Sequence, residues 1–327
     1  MINGFGITGK KFLITGGAGF IGSSLARIIS KNNEVIIFDN LHNNALKNTS
    51  LTDNPNLRIV TGNVLDYSTL EKSMDPDIEY LIHCAAIAGV DTVLKNPILT
   101  LNVNINGVFN IFKAAGKLTR LKRIIDFSTS EIYGKHAENV DEKALNLSIS
   151  PEELRWSYAI SKLSGEAIAR TYYIHEKMPT VTIRPFNIFG PNQIGVGAVH
   201  NFVTHAIKEL PIIINNNGSQ VRSWCYIDDL VKGVLLTLEN DIAVGQVYNI
   251  GNPDNTLTVY ELARMIKLIS ESSSRIEYRE TNYPDVELRI PKIDHAYEQL
   301  KFEPEINMEE GLKRTIEWYK IKNGVFH

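Results

Sequence analysis

The chain has 327 residues, enough for one large or two ordinary domains with a real core. Its 34 Lys and Arg nearly balance 37 Asp and Glu, which gives no electrostatic case for a nucleic-acid binder or a membrane-surface protein. The two cysteines, Cys84 and Cys225, stand apart, so no disulfide framework or cysteine-rich metal site is indicated and a reducing cytoplasm is expected.

Residues 1–9 read as a short leader, not a signal peptide, and no apolar run approaches the ~20 residues that span a bilayer. Lys11–Thr15 is expected as a buried strand and Phe20–Ser30 as a helix. Strands follow at Glu34–Asp39, Leu57–Thr61, Tyr80–Cys84, Arg123–Ser128 and Thr180–Arg184. Helices fit between them at Ser68–Met74, Ile98–Leu118 and Tyr158–Glu176. This alternation predicts an α/β fold, with a doubly wound parallel sheet covered on both faces. After about Pro185 the texture changes. A glycine-bearing loop spans Pro191–Gly197, a strong turn lies at Asn215–Ser219, and helices are expected at Asp228–Leu238, Val259–Ser270 and Met308–Tyr319. A dinucleotide-binding domain over residues 1–185 is therefore expected, followed by a smaller mixed α/β lobe over 186–327. The segment 246–251 reads as a strand returning to the main sheet.

Gly16, Gly19 and Gly22 form GxxGxxG between the first strand and the first helix. Such glycines permit a tight turn and close approach of phosphate to backbone, and the helix N-terminus offers free N–H groups and a positive dipole end. Asp39 ends the second strand, about twenty residues on. A carboxylate there can accept from the adenosine ribose and repels a 2′-phosphate, so NAD is expected over NADP.

Tyr158 and Lys162 are four apart and share a helix face. A nearby ammonium favours the phenolate, which would let the tyrosine act as a base near neutral pH. Tyr173/Lys177 and Tyr297/Lys301 have the same spacing, but the first sits at a helix end before Pro179 and the second lies among charged residues near the C-terminus. Tyr158 differs because a strand leading into Ser128, Thr129, Ser130 and Glu131 precedes it by about one crossover, and such strand ends face the ligand crevice. Arg222 follows a Gly-Ser turn and suits phosphate oxygens. The histidines are scattered; His200 and His205 lack metal-ligand partners, and no metal is expected.

Several segments occur in a telling order. They are Thr15 to Gly22, His83-Cys84-Ala85-Ala86, Ser128 to Gly134, Tyr158 to Lys162, Arg184 to Pro191 and Val221 to Asp229. Together they resemble the extended short-chain dehydrogenase/reductase superfamily, in its nucleotide-sugar epimerase/dehydratase branch, over nearly the whole chain. The resemblance implies a Rossmann-type fold and C4 oxidation of a nucleotide sugar by tightly held NAD. It implies Thr129 at the sugar O4 beside the base Tyr158, and Lys162 also on the nicotinamide ribose. It places Phe20, Ile21, Asn40, Asn63, Val64, Ala85, Ala86 and Asn104 at the cofactor, with Asn63 where the family usually has an aspartate. Asn187 and Arg222 would meet the substrate diphosphate.

Position 131 discriminates within the branch. The 4-epimerases usually carry a small or apolar residue there, and the 4,6-dehydratases carry Thr-Asp-Glu. Thr129-Ser130-Glu131 instead resembles the UDP-glucuronate decarboxylases. Arg289, within Tyr283 to Pro291, matches the arginine that completes their site, and Arg155-Trp156-Ser157-Tyr158 is similar to that group as well. A UDP-glucuronate decarboxylase is the first expectation. A UDP-sugar or UDP-uronate 4-epimerase comes next, then a 4,6-dehydratase, and remotely a non-catalytic NAD-binding regulator. The resemblance also implies a homodimer through helices 98–118 and 158–176. Leu101, Ile105, Val108 and Phe112 fall at helical spacing there, a stripe that serves a core equally well.

Overall fold

The computed structural model describes residues 5–144, 149–195 and 197–324. Part of the expected leader (1–4) and Val196 of the glycine-bearing loop lie outside the described residues. The first strand, β1 (Lys11–Thr15), runs into the glycine turn and α1 (Phe20–Ile29). The alternation continues through β2 (Glu34–Asp39), β3 (Leu57–Thr61), α2 (Tyr67–Ser73) and β4 (Tyr80–His83). Then come α3 (Val90–Lys95), α4 (Pro97–Leu101), α5 (Gly107–Ala115), β5 (Arg123–Phe127), β6 (His136–Val140), α6 (Ser157–Glu176) and β7 (Thr180–Pro185). The rest comprises β8 (Ile188–Phe189), α7 (Ala198–Ile207), β9 (Ile212–Asn215), β10 (Val221–Ser223), β11 (Cys225–Tyr226), α8 (Ile227–Glu239), β12 (Val247–Ile250), β13 (Thr256–Thr258), α9 (Val259–Ser270), β14 (Ile276–Arg279), β15 (Leu288–Pro291), α10 (Asp294–Leu300) and α11 (Met308–Lys322).

Seven parallel strands form the main sheet in the order β12-β7-β5-β4-β1-β2-β3. Both faces are covered, which is why the strands read as nearly unbroken apolar runs. Phe12, Ile14, Ile37, Ile82 and Ile125 join the core that includes Leu25 of α1 and Leu230 and Val234 of α8. Leu13, Ile36, Phe38, Leu81 and Ile124 pack with Val108 and Phe112 of α5 and Ile168 of α6. The strand order reverses between β1 and β4, and such a reversal opens a ligand crevice above the strand ends.

The expected helix 98–118 is present over 97–115, with one π-helical turn inside it. A π-turn over Asn102–Asn106 separates α4 from α5. Asn104 lies in that turn, buried, and a π-turn commonly marks a site where an inserted residue is used. Val108 and Phe112 are core residues, so the periodic stripe points inward; the solvent face of α4, α5 and α6 instead carries Ile98, Phe109 and Leu163.

A second, mixed sheet has the order β13-β10-β15-β6. β6 comes from the first half of the chain and pairs in parallel with β15. β15 in turn pairs in parallel with β10, which sets Arg222 opposite Arg289. These strands are three to five residues long, too short for periodicity to reveal them. No helix among the described residues is long and apolar enough to cross a membrane.

Candidate active site

The glycine turn is shaped by close backbone approach. Gly16 has φ +67°, and a Cβ on it would lie 2.5 Å from the Ala85 nitrogen. A Cβ on Gly22 would lie 2.3 Å from the Gly16 carbonyl. The turn therefore packs β1, the segment after β4 and α1 together in a way no side chain permits. Gly19 caps α1 without a side-chain acceptor, so the first-turn N–H groups of Phe20, Ile21 and Gly22 remain available to an anion. Asp39 sits beside them: its Oδ2 accepts from Ala18 N at 3.0 Å and its Oδ1 from Leu41 N at 2.7 Å. Burial raises its pKa, and these two hydrogen bonds oppose the shift. A cradle without side chains, free N–H groups and a fixed carboxylate fits a dinucleotide.

The catalytic candidates converge at the strand ends next door. Thr129 follows β5; its Oγ1 accepts from Glu131 N at 3.1 Å, and its side chain is hydrogen-bonded to Tyr158. Burial pushes the Tyr158 phenol up, the Glu131 charge pushes it further, and Thr129 and Arg289 pull it down. The expected depression by Lys162 is not among these influences, because the Lys162 ammonium turns to the Phe127 carbonyl. Burial lowers Lys162, while Asp126, Cys84 and Glu166 support its charge.

Glu131 is held by two guanidiniums. Arg155 forks onto it, with Nη1–Oε2 at 2.7 Å and Nη2–Oε1 at 3.4 Å. Arg289 reaches it from β15, with Nη1–Oε1 at 3.1 Å. Burial of the carboxylate is outweighed by these two positive charges, and its pKa falls to about 2. Arg222 lies in the adjacent strand and donates to Asp285 at 3.3 Å; burial, with Arg289 next, lowers it to about 9. The arginine side chains are at most 10% exposed, whereas the Glu131 side chain is 19% exposed.

The sequence profile of the NAD dependent epimerase/dehydratase family matches residues 12–251. The chain belongs to this family. It is 32% identical to a UDP-N-acetyl-alpha-D-glucosaminuronate decarboxylase of Bacillus cytotoxicus, over 95% of this chain and 98% of that one. It is also 32% identical to UDP-glucuronic acid decarboxylase 1 of Arabidopsis thaliana, over 96% of this chain and 70% of that protein. Among solved structures it resembles UDP-glucuronic acid 4-epimerase from Bacillus cereus, in complex with UDP-glucuronic acid and NAD. There the TM-score is 0.87 at 28% identity, covering 95% of this chain and 99% of that one.

In this member of the epimerase/dehydratase family the other expected residues fall as follows. Asn104 spends its amide on protein: Oδ1 accepts from Ile87 N at 2.8 Å, and Nδ2 donates to Ile87 O and Ser161 Oγ, each at 3.0 Å. It therefore fixes the segment after Ala85 and Ala86 against α6, and that is its visible role. Asn40 and Asn63 are exposed, with side-chain carbonyls accepting from His42 N and Leu65 N in local turns. Val64 is buried against α5. Asn187, at φ +40°, donates to the Ser223 carbonyl at 2.8 Å. Ser130 is buried in the short helical turn after β5. The rival pairs are excluded by helix ends, since Lys177 and Lys301 are left-handed C-caps of α6 and α10.

Sequence reasoning missed three contributors. Arg155 was seen only as part of a motif. Asp126 is buried mid-sheet, in register with His83, and burial raises it to about 6 against the pull of Lys162. Tyr133 bonds Arg184 at 2.7 Å and Asn249 at 2.8 Å, and Arg184 in turn clamps Glu166 of α6 through two bonds. A charged residue inside an apolar strand run was the available signal for Asp126.

Proposed function

We propose that the protein is an NAD-dependent decarboxylase of a UDP-hexuronate, with UDP-glucuronate the first substrate to test. The observation that carries this reading is the Glu131 carboxylate set between Arg155 and Arg289 beside the Thr129–Tyr158 pair. A site that collects three buried guanidiniums suits a sugar bearing a carboxylate as well as a diphosphate. The curated relatives that decarboxylate UDP-uronates support it.

Phe20, Ile21 and Gly22 N–H groups would hold the NAD pyrophosphate and Asp39 the ribose. Asn40, Asn63, Val64, Ala85 and Ala86 would border it, with Asn104 behind. When bound, NAD supplies the acceptor for the C4 hydrogen with its electron pair. Tyr158 takes the C4 hydroxyl proton, with Thr129 hydrogen-bonded to it, and Lys162 would hold the nicotinamide ribose. The ketone at C4 makes the uronate a β-keto acid. As carbon dioxide leaves, the C5–C6 bonding pair passes to the C4 oxygen, where Thr129 and Tyr158 stabilise the enolate. Arg289 binds the carboxylate before it departs, and Arg222 and Asn187 bind the diphosphate. Glu131 enters as a carboxylate, so its part is to orient the water that protonates C5. Ser130 is a far poorer proton donor than the aspartate a 4,6-dehydratase would need there.

We also read residues 1–185, with the strand at 246–251, as the NAD-binding domain and 186–327 as mainly the sugar-nucleotide lobe. The unpaired Cys84 and Cys225 support a reducing cytoplasm. Ile98, Phe109 and Leu163, exposed on α4, α5 and α6, support a homodimer through those helices.

The test is incubation of the holoenzyme with UDP-glucuronate and UDP-N-acetylglucosaminuronate, followed by mass spectrometry and proton NMR. Loss of carbon dioxide from either supports the reading, and the product's C4 state reports whether the hydride returns. Unchanged mass with inversion at C4 would make the protein an epimerase.

A further inference from the structure

Three buried guanidiniums, Arg155, Arg222 and Arg289, face two carboxylates, Glu131 and Asp285. The surplus positive charge is not evenly placed. Arg155 grips Glu131 through both Nη atoms and lies over the Trp156 ring at 4.3 Å. Arg289 touches Glu131 through one Nη atom, and its other Nη reaches only the Gly134 carbonyl at 3.5 Å; the buried Nε has no partner in either arginine. Arg222, directly opposite it in the sheet, repels it. Arg289 is thus the looser partner of Glu131 and holds donors in reserve.

We propose that Arg155 is a positioning residue that keeps Glu131 paired when Arg289 turns to the carboxylate of the substrate. The inference rests on the UDP-hexuronate reading and deepens it. With the uronate in place, Arg155 keeps Glu131, Arg289 takes the uronate carboxylate, and Arg222 stands between Asp285 and the diphosphate. Without Arg155, Glu131 and the uronate compete for Arg289, and the two like charges repel across the cleft. A uronate then binds poorly, while a ligand lacking the sugar carboxylate is unaffected. Arg155 is therefore a determinant of specificity for acidic sugars that need not touch the sugar.

Binding is read by calorimetry in a Tyr158→Phe holoenzyme, which does not turn over, using whichever UDP-uronate the native enzyme decarboxylates and UDP itself. Arg155→Met should weaken the uronate by about tenfold or more and UDP by less than about twofold. Adding Glu131→Gln to that variant removes the competitor and should restore uronate affinity to within about threefold of the parent, a coupling that a merely structural role would not produce. Arg155→Lys, which keeps the charge and loses the fork, should fall between. Equal weakening of uronate and UDP, no weakening of either, or no rescue by Glu131→Gln would overturn the inference. If the native enzyme decarboxylates neither uronate, the functional reading fails first and the inference falls with it. Unchanged NAD content and circular dichroism establish that each variant is folded.

Discussion

Glu131 and Arg289 meet at 3.1 Å across the cleft, the carboxylate following β5 of the main sheet and the guanidinium rising from β15 of the smaller one. Together with Arg155 this contact holds the carboxyl at about 2, far below its ordinary value of 4.5. A depressed acid contributes stability that is complete above about pH 4.5 and is lost as pH falls through 2. Glu131→Gln should therefore cost about 3 kcal/mol at pH 7, with the deficit shrinking as the pH approaches 2. Urea denaturation of both proteins across this range checks it. A pH-independent deficit would mean that the ion pairs are not the cause.

The turn between β1 and α1 makes a steric prediction. A methyl group on Gly22 would meet the Gly16 carbonyl at 2.3 Å and Gly17 Cα at 2.6 Å, both rigid backbone. Gly22→Ala should cost roughly 1–3 kcal/mol and deplete the purified protein of NAD. Absorbance of released cofactor and thermal unfolding measure the two effects. Retention of full NAD content by a folded Gly22→Ala protein would contradict the assignment of this turn to the pyrophosphate.

How far the sequence revealed these features depends on the kind of signal each carries. The glycine turn, Asp39, Tyr158 and Lys162 were legible because each obeys a local rule of spacing or strand-end placement. The arginine cluster was only half legible. Arg289 and Arg222 come together through a parallel pairing of two strands of three and four residues, and neither strand has a period to detect. The π-turn at Asn102–Asn106 carries Asn104, whose partners Ile87 and Ser161 are distant in sequence. The electrostatics of Tyr158 are not legible in the sequence for a related reason. Helical spacing places Lys162 on the same face, but its ammonium is claimed by the Phe127 carbonyl and its charge is supported by Asp126.

Asp126 itself yields a prediction of opposite sign to that for Glu131. It lies in register with His83 on β4 and Thr182 on β7, beneath α6, and its Oδ1 has no hydrogen-bond partner. Burial raises its pKa from 3.8 to about 6, so the folded protein binds the proton more tightly than the unfolded chain. Stability then falls as pH rises from about 4 to 6, and the full penalty persists above. Asp126→Asn should be more stable than the native protein at pH 8 by up to about 3 kcal/mol, with the gain vanishing near pH 4. The same change removes an anion that supports the Lys162 charge, so turnover should fall while stability rises. Loss of stability at pH 8 would show that the Asp126–Lys162 attraction outweighs the burial of the acid.

The exposed apolar residues of α4, α5 and α6 bear on assembly. Ile98 is 83% exposed, and Phe109 and Leu163 are about half exposed, on helices whose opposite faces already fill the core with Val108, Phe112 and Ile168. Exposed apolar side chains of this size on neighbouring helices mark a contact surface, and a second copy of the chain would cover them without further components. A charge at the centre of such a contact would meet its own image across the two-fold axis and find no counter-ion. Light scattering should give a mass near twice the 36.7 kDa of one chain, and Ile98→Glu should reduce it to a single chain at micromolar concentration. Because Ile98 is 83% exposed and its replacement leaves the glycine turn intact, the separated chain should keep its NAD. A native protein already at the single-chain mass would leave the outer face unaccounted for and end the dimer proposal.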